Sequence, residues 1–440
     1  MLELSDYWYN WIDYTLMKKL FILLLLVVSA CKNDNDDPSR SVFKVTMDSN
    51  VSIYNTQLWV ILRDSENGEL VDFKSIGPGL SLSFETNKQI PNDNLDVTFL
   101  SVDIQEVDGI IHNGYTAETY TAVQTGTEWT IKEPASGQSY TQSGTYNLSV
   151  VDVPNVYSLG LGDKYGQATS WSSHQGFIGG KVTLRENAST QIISVDAGSG
   201  PKYTFIDNLI NNSSVSLSYN DLKTFDKTVR FQLPKLMELN AYVAAHEAYP
   251  GPTFYHYTSG GLPLYDNSFY SAFFVNGAYD IKRQSVDLPF LDKFSIYHID
   301  LGVNGFRHLS FGPAPSSIEY IDPSVVTISD KSLAGISYTS TMPVLRRMTA
   351  YSYNDAFGSG PVRSFVTLRY YAGLDNTVFH QPIPSELIAQ FSIPIEKVTY
   401  SSSTFWLTGD IYADYLKRDK TYLGGAFAAK PPFAEVSIYK

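Results

Sequence analysis

An all-β protein, with two or three antiparallel β-sandwich units (Ig-like or jelly-roll-like) in tandem behind a tether, is what this sequence predicts. Three observations carry that expectation. Aromatic residues make up 14 % of the chain, with 31 Tyr and 24 Phe, and rings of this kind favour half-buried sheet positions where the tip of Tyr stays wet. Apolar and polar residues alternate with period two through many runs of five to seven residues, the pattern of a strand with one buried face. Gly- and Asn-rich turn signals recur about every 8–12 residues, which suits sandwiches.

Residues 1–16, MLELSDYWYNWIDYTL, carry Glu3, Asp6 and Asp13 with no Lys or Arg. They read as an over-extended start, with translation beginning at Met17. Residues 17–30 then form a tripartite export signal. Met17-Lys18-Lys19 is basic, Leu20–Val28 is an unbroken apolar run, and Val28-Ser29-Ala30 brings small residues up to Cys31. The apolar run falls well short of the roughly 20 residues that cross a bilayer, which speaks against an uncleaved anchor. Cys31 is the only cysteine, so neither disulfides nor Cys-based metal sites are available. Residues 31–40, with Asp34, Asp36 and Asp37, read as an acidic tether.

The first unit spans 41–145. It opens on the alternating Val42–Met47, and Leu58–Leu62 (LWVIL) reads as a central strand buried on both faces. Asn67-Gly68 signals a hairpin, and Leu80–Phe84, Leu95–Ile104, Tyr115–Val123 and Glu128–Lys132 keep the alternation. A second unit, 146–240, holds runs at 146–150, 181–185, 192–195, 202–206, 215–219 and 228–233. Leu239–Ala245 is either its last strand or a linker strand. The third, 241–440, is a larger β-rich unit. Its firmest strands are expected at 271–275, 294–301, 325–328, 337–341, 362–371 and 433–439. Short helices are expected at Pro384–Gln390 and Asp410–Arg418, the latter with Ile411, Tyr415 and Leu416 on one side. Membrane-barrel strands would run about 9–11 residues with an apolar outer face, so shorter runs with polar partners favour sandwiches.

The net charge is −13. Residues 1–30 hold two Lys against Glu3, Asp6 and Asp13, so −12 remains from Cys31 onward. Such a balance disfavours nucleic acid as a partner, because phosphate backbones need basic patches.

Few residues announce chemistry. His246-Glu247 begins like a zinc-protease motif, but Pro250 stands where the second His is needed. His298 and Asp300 alternate on a strand and His308 follows, a set that binds a metal if all three converge; a solvated strand face is the plainer account. Carboxylate pairs for hydrolysis are not selected by spacing, and no nucleophile elbow, P-loop or dinucleotide fingerprint occurs. The sequence therefore names no catalytic residue, metal ligand or cofactor. Aromatic loops are the better candidates: Trp171 among Gly, Ser and Thr, then Tyr255, Tyr257, Tyr265 and Tyr270 in the stretch 249–270. Rings on rigid loops hold sugar faces. In a chain so rich in Tyr, rings that simply cover sandwich ends are the plainer reading.

Small residues directly before a lone Cys resemble the lipobox of bacterial lipoproteins. With the acidic run after Cys31 and the tandem β units, the chain resembles surface lipoproteins of Gram-negative bacteria. In plan it is similar to those of polysaccharide-uptake systems, and fimbrial subunits of the lipoprotein type share the plan. The resemblance implies a thiol acylated at Cys31, an outer-membrane anchor with surface or periplasmic exposure, and binding of glycan or another extracellular ligand. A structural or adhesive subunit is the alternative, and a glycan-acting hydrolase the third. Metabolic labelling with palmitate should mark the protein, and Cys31→Ala should abolish the label; a labelled variant would remove the anchor.

Overall fold

The computed structural model describes residues 39–53, 56–132, 141–154, 158–163, 166–167, 172–174, 176–186, 188, 190–197, 200–246, 282–355, 360–417, 420–423, 426–427 and 433–439. The chain is all-β, and its sheets are mostly antiparallel.

The first segment supplies β1 (Arg40–Met47), β2 (Thr56–Asp64), β3 (Leu70–Ile76), β4 (Ser81–Thr86), β5 (Asn94–Val107), β6 (Ile110–Gln124) and β7 (Thr127–Lys132). The alternation in β1 turns Phe43, Val45 and Met47 inward and leaves Lys44 and Thr46 half-buried. Asn67-Gly68 does close the β2–β3 hairpin. Asp64 Oδ1 accepts from the amides of Glu66 and Asn67 at 2.8 and 3.2 Å. Gly68 has φ +74°, and a Cβ there would sit 2.5 Å from Nδ1 of His380, so both backbone and space require glycine. Strand β2 is buried on both faces as its sequence predicts: Leu58, Val60 and Leu62 enter one core, Ile61 another.

The middle segment supplies β8 (Gln142–Val153), β9 (Ser158–Asp163), β10 (Gly166–Gln167), β11 (Ser172–His174), β12 (Gly176–Arg185), β13 (Gln191–Asp196), β14 (Pro201–Ile206), β15 (Ser214–Ser218) and β16 (Lys223–Thr224). They form two sheets, ordered β11-β12-β8-β15 and β10-β9-β13-β14-β16. Between them lies a core of Tyr146, Leu148, Val150, Ile178, Val182, Ile193 and Val195. This is a sandwich. Its buried Arg185 donates through Nη1 to Asp163 at 2.8 Å, and Tyr146 donates to Gln191 at 2.6 Å, so these side chains are paired across the interior.

The last segment supplies β17 (Lys227–Glu238), β18 (Asn240–His246), β19 (Lys282–Phe290), β20 (Ile296–Val303), β21 (Phe306–Gly312), β22 (Val326–Asp330), β23 (Ser337–Ser340), β24 (Arg346–Asn354) and β25 (Val362–Ala372). Helix α1 (Ser385–Phe391) follows, then β26 (Thr399–Trp406), α2 (Tyr412–Leu416), β27 (Lys420–Leu423), β28 (Ala426–Phe427) and β29 (Phe433–Tyr439). Strand β18 pairs with β20, so 239–245 is a linker strand that enters the sheet of the last segment. In α2 it is Tyr412 and Tyr415 that are buried, while Ile411 is 50 % exposed. The Tyr412 hydroxyl reaches the carbonyl oxygens of Thr121 and Tyr371, which turns the helix to that face. The strand expected at 271–275 lies outside the described residues.

One sheet of eleven strands runs β18-β20-β21-β29-β26-β24-β25-β6-β5-β2-β3. The expected segments 41–145 and 241–440 thus share a single sheet, joined where β6 and β25 pair in parallel from Ile111↔Val362 to Tyr120↔Tyr371. A second sheet, β28-β27-β7-β1-β4, mixes the two segments again and covers a core of Phe43, Val60, Leu62, Phe84, Phe99, Tyr120 and Trp129. On the opposite face of the large sheet, the β17–β19 pair, the β22–β23 pair and α1 close the largest core. Strands that serve two cores outgrow the five to seven residues expected: β5 has 14 and β6 has 15. No helix among the described residues is long and apolar enough to cross a membrane.

At the seam, Arg369 donates to Glu118 at 2.8 Å, and the Glu118 side chain is only 1 % exposed. Removing one member of a buried pair strands the other and costs roughly 3 kcal/mol. Glu118→Ala should lower stability by about that much in urea unfolding. The double change Glu118→Leu with Arg369→Met should recover most of the loss, and an unrecovered double variant would show that the loss does not come from a stranded Arg369.

Candidate functional site

Two places collect chemistry-bearing side chains, and they differ in what their groups have left to offer. The first is a charged belt on the face of the large sheet that also carries Tyr120 and Tyr371. Register brings it together. Arg307 on β21 lies opposite Glu435 on β29, Glu435 opposite Trp406 on β26, and Trp406 opposite Arg346 on β24. Arg307 donates through Nε and Nη2 to both oxygens of Asp300 at 2.9 Å, a bidentate fork. The Arg346 guanidinium lies between two rings, 4.1 Å from Trp406 and 4.3 Å from Tyr415. His298 meets the Tyr242 ring edge-on at 5.2 Å.

The solvated strand face expected for His298 and Asp300 is corrected here. His298 is 6 % exposed, and burial lowers its pKa to about 4, so it is neutral at ordinary pH. The two residues do share a face, but His308 does not join them. It pairs opposite Leu301, a residue of the largest core, and so points to the other side of the sheet. A one-residue offset along a strand reverses the face, and the spacing 298, 300, 308 could not reveal it. Among the described residues no three His, Cys, Asp or Glu converge to hold a metal. The sequence missed Arg307, Glu435 and Arg346 as members of one cluster, because they come from three separate strands.

The belt's charges answer one another. Burial raises the Glu435 carboxyl to about 7, against the pull of Arg307 and Arg346. Burial also pushes Asp300 up, while its fork with Arg307 acts in the opposite sense. Such groups stabilise the interior and leave little for a ligand.

The second place is a groove of about 540 Å3 beside β17. Its sequence cause is Pro234, which has no amide hydrogen for the ladder. Between Gln232↔Ser285 and Met237↔Arg283 four residues of β17, 233–236, stand opposite the single residue Gln284. The strand bulges there, leaving Leu236 63 % exposed. Facing the bulge is the segment with Ile318, Glu319, Tyr320 and Asp322. Leu233 and Ile318 are buried and give the groove an apolar floor. Arg230 is held extended by two bonds to Asp287, at 2.8 and 3.0 Å. Hydrogen bonds from Ser324 hold the Asp322 carboxyl below its ordinary pKa, so it is charged at neutral pH. Tyr320 is fixed by an edge-on contact with Phe306 at 5.3 Å. The groove combines a ring, a guanidinium, an amide and two carboxylates around an apolar base. Sites that orient polar ligands are built this way.

Cys31, Trp171, Tyr255, Tyr257, Tyr265 and Tyr270 all lie outside the described residues, as do Glu247 and Pro250. His246 ends β18. The groove itself had one sequence signal, the Pro within an alternating run at 227–238, which marks an edge strand or a bulge.

A carboxyl whose folded pKa is raised contributes stability that is complete below its unfolded pKa and is lost as pH rises through the folded value. Glu435, raised from 4.5 to about 7, and Asp96, raised from 3.8 to about 6 by burial, both act in this sense. Buried His298, with its pKa lowered from 6.5 to about 4, acts in the opposite sense up to pH 6.5, so melting temperature should fall as pH is raised from 6.5 to about 8, and Glu435→Gln should flatten that slope. A wild-type slope retained in the variant would refute the assignment to Glu435.

No protein-family model and no curated protein matches the chain. Among solved structures, the Bacillus anthracis TIE protein matches at 10 % identity over 64 % of this chain and 49 % of that one, with a TM-score of 0.15. The chain spans about half the length of that protein, and a likeness at this score carries no argument.

Proposed function

We propose that this is a lipid-anchored binding protein of the cell envelope, held at the outer membrane through Cys31, that takes a glycan or another polar extracellular ligand in the β17 groove. The observation that carries the reading is the groove's composition. Tyr320 offers a ring to the apolar face of a sugar, while Arg230, Gln232, Glu319 and Asp322 surround it with donors and acceptors. Glu319 and Asp322 are exposed and Arg230 is already extended by Asp287, so little ordering is needed when a ligand arrives.

The charged belt is the feature that would favour hydrolysis, since Asp300 and Glu435 flank one arginine. Their partners are protein groups, which supports a structural part for them and ranks binding ahead of catalysis.

A glycan array probed with the purified protein should return binders. Glu319→Ala and Arg230→Ala should each weaken them about tenfold, equivalent to roughly 1.4 kcal/mol. Silence across all polysaccharides, or binding indifferent to both changes, would remove the groove as the glycan site.

A further inference from the structure

Gly114 stands in the interior of β6, where neither a turn nor a bulge calls for it. Pairing continues without a break on both sides of it, from Ile104↔Asn113 to Val102↔Tyr115 with β5 and from Ser364↔Asn113 to Val366↔Tyr115 with β25. Its backbone is not in the left-handed region that glycine alone enters freely. A glycine inside a strand weakens it, and apart from bulges and bends it marks a place where a ligand or another backbone comes close. Among the described residues no other strand comes close on its open side. A Cβ built at 114 meets only the Cβ and the carbonyl oxygen of Asp103, its own partner on β5, at 3.6 and 3.7 Å. That is ordinary van der Waals contact, so a larger residue fits, and the glycine leaves the space unfilled.

Register shows what surrounds that space. Asp103 on β5 and Phe365 on β25 stand opposite Gly114 on its two sides. The three share the face of the large sheet that carries Glu118 and Arg369, because 114, 116 and 118 alternate regularly along β6. The result is a notch with Gly114 as its floor, Asp103 and Phe365 as its walls, and His112 and Thr116 at its ends. Its walls are two strand spacings apart, about 10 Å between backbones. Phe365 is 42 % exposed, and its neighbours in the notch are polar. Gln105 donates through Nε2 to both oxygens of Asp103 at 3.2 and 3.0 Å, which steadies the carboxylate wall. Arg363 follows two residues from Phe365 on the same face, opposite His112.

We infer that this notch binds a neutral hexopyranose unit of a glycan, at a site separate from the β17 groove. Phe365 offers its ring to the C–H face of the sugar. Across the floor Asp103 accepts from the sugar hydroxyls, and His112, Thr116 and Arg363 add further hydrogen-bonding groups around them. Charge selects the ligand. Asp103 and Arg363 offset each other, so the notch presents no net charge to favour a uronate or an amino sugar over an uncharged ring. The glycine then has a reason: a side chain at 114 would occupy the space the sugar takes. Strand β17 packs on the other face of the sheet, where Phe231 and Leu233 join the core that holds Val102 and Tyr115. Filling the groove therefore leaves the notch open.

The test is an array of neutral hexans, polyuronates and amino-sugar polymers, probed with the full chain and its variants. Phe365→Ala should weaken the neutral binders about tenfold or more. Gly114→Val, a residue that suits a strand, should do the same while the melting temperature holds or rises. Phe365→Trp should keep the binding, and its fluorescence should shift when a neutral hexan is titrated in; adding Gly114→Val should remove that shift. Glu319→Ala and Arg230→Ala in the groove should leave these binders in place, so the two sites succeed or fail separately. Neutral binders indifferent to both Gly114→Val and Phe365→Ala, a silent array, or a dependence on Gly114 confined to charged glycans would overturn the inference. So would a lower melting temperature for Gly114→Val, because the fold itself would then require the glycine.

Discussion

Ten consecutive residues of parallel pairing between β6 and β25, more than two hundred positions apart in the chain, are the constraint on which the remaining architecture depends. A parallel pair cannot be closed by a short turn. Its register must come from side chains, and here it comes from a few large ones. Tyr120 stacks on Tyr371 at 5.0 Å with an 11° angle, and Glu118 takes the Arg369 guanidinium beside them. Once these rows match, β24, β26 and β29 fall into line on one side and β5, β2 and β3 on the other. The β1–β4–β7 layer then has a surface to cover, and α2 closes the seam by bonding Tyr412 to carbonyls from both segments.

The fold presents two kinds of polar surface. Across β20, β21, β29 and β24 the charged side chains are buried and directed at one another, so desolvation is offset by forks, rings and opposite charges. Along β17 and the segment 318–322 the polar groups surround an open groove, held in place by Asp287 and Ser324 but not closed off. This contrast separates an electrostatic support from a binding surface. It does so more clearly than any list of residue types, since Asp, Glu and Arg occur in both.

Several features were legible from residues close in the chain. Alternation identified the strands around Val42–Met47, 362–371 and 433–439, Asn67-Gly68 marked its hairpin, and LWVIL announced a strand with two buried faces. The seam was not legible, because nothing in the runs near 115–123 or 362–371 names its partner. The belt was half visible: His298 and Asp300 share a face as their spacing of two requires, while their burial and their neighbours Arg307 and Glu435 depend on strands that meet only in the fold. The groove was hinted at by Pro234 and by nothing in 318–322.

By itself the sequence determined the β class, the acidic balance, the single thiol at Cys31 and the face of each side chain along its own strand. Those follow from period-two geometry and composition, which are local. Only the tertiary structure decided that the first and last segments share a sheet, that His308 turns away from His298, and which polar groups are buried against each other and which are left facing water. Strand partners are chosen by the packing of whole faces, and that energy is distributed over residues far apart in the chain.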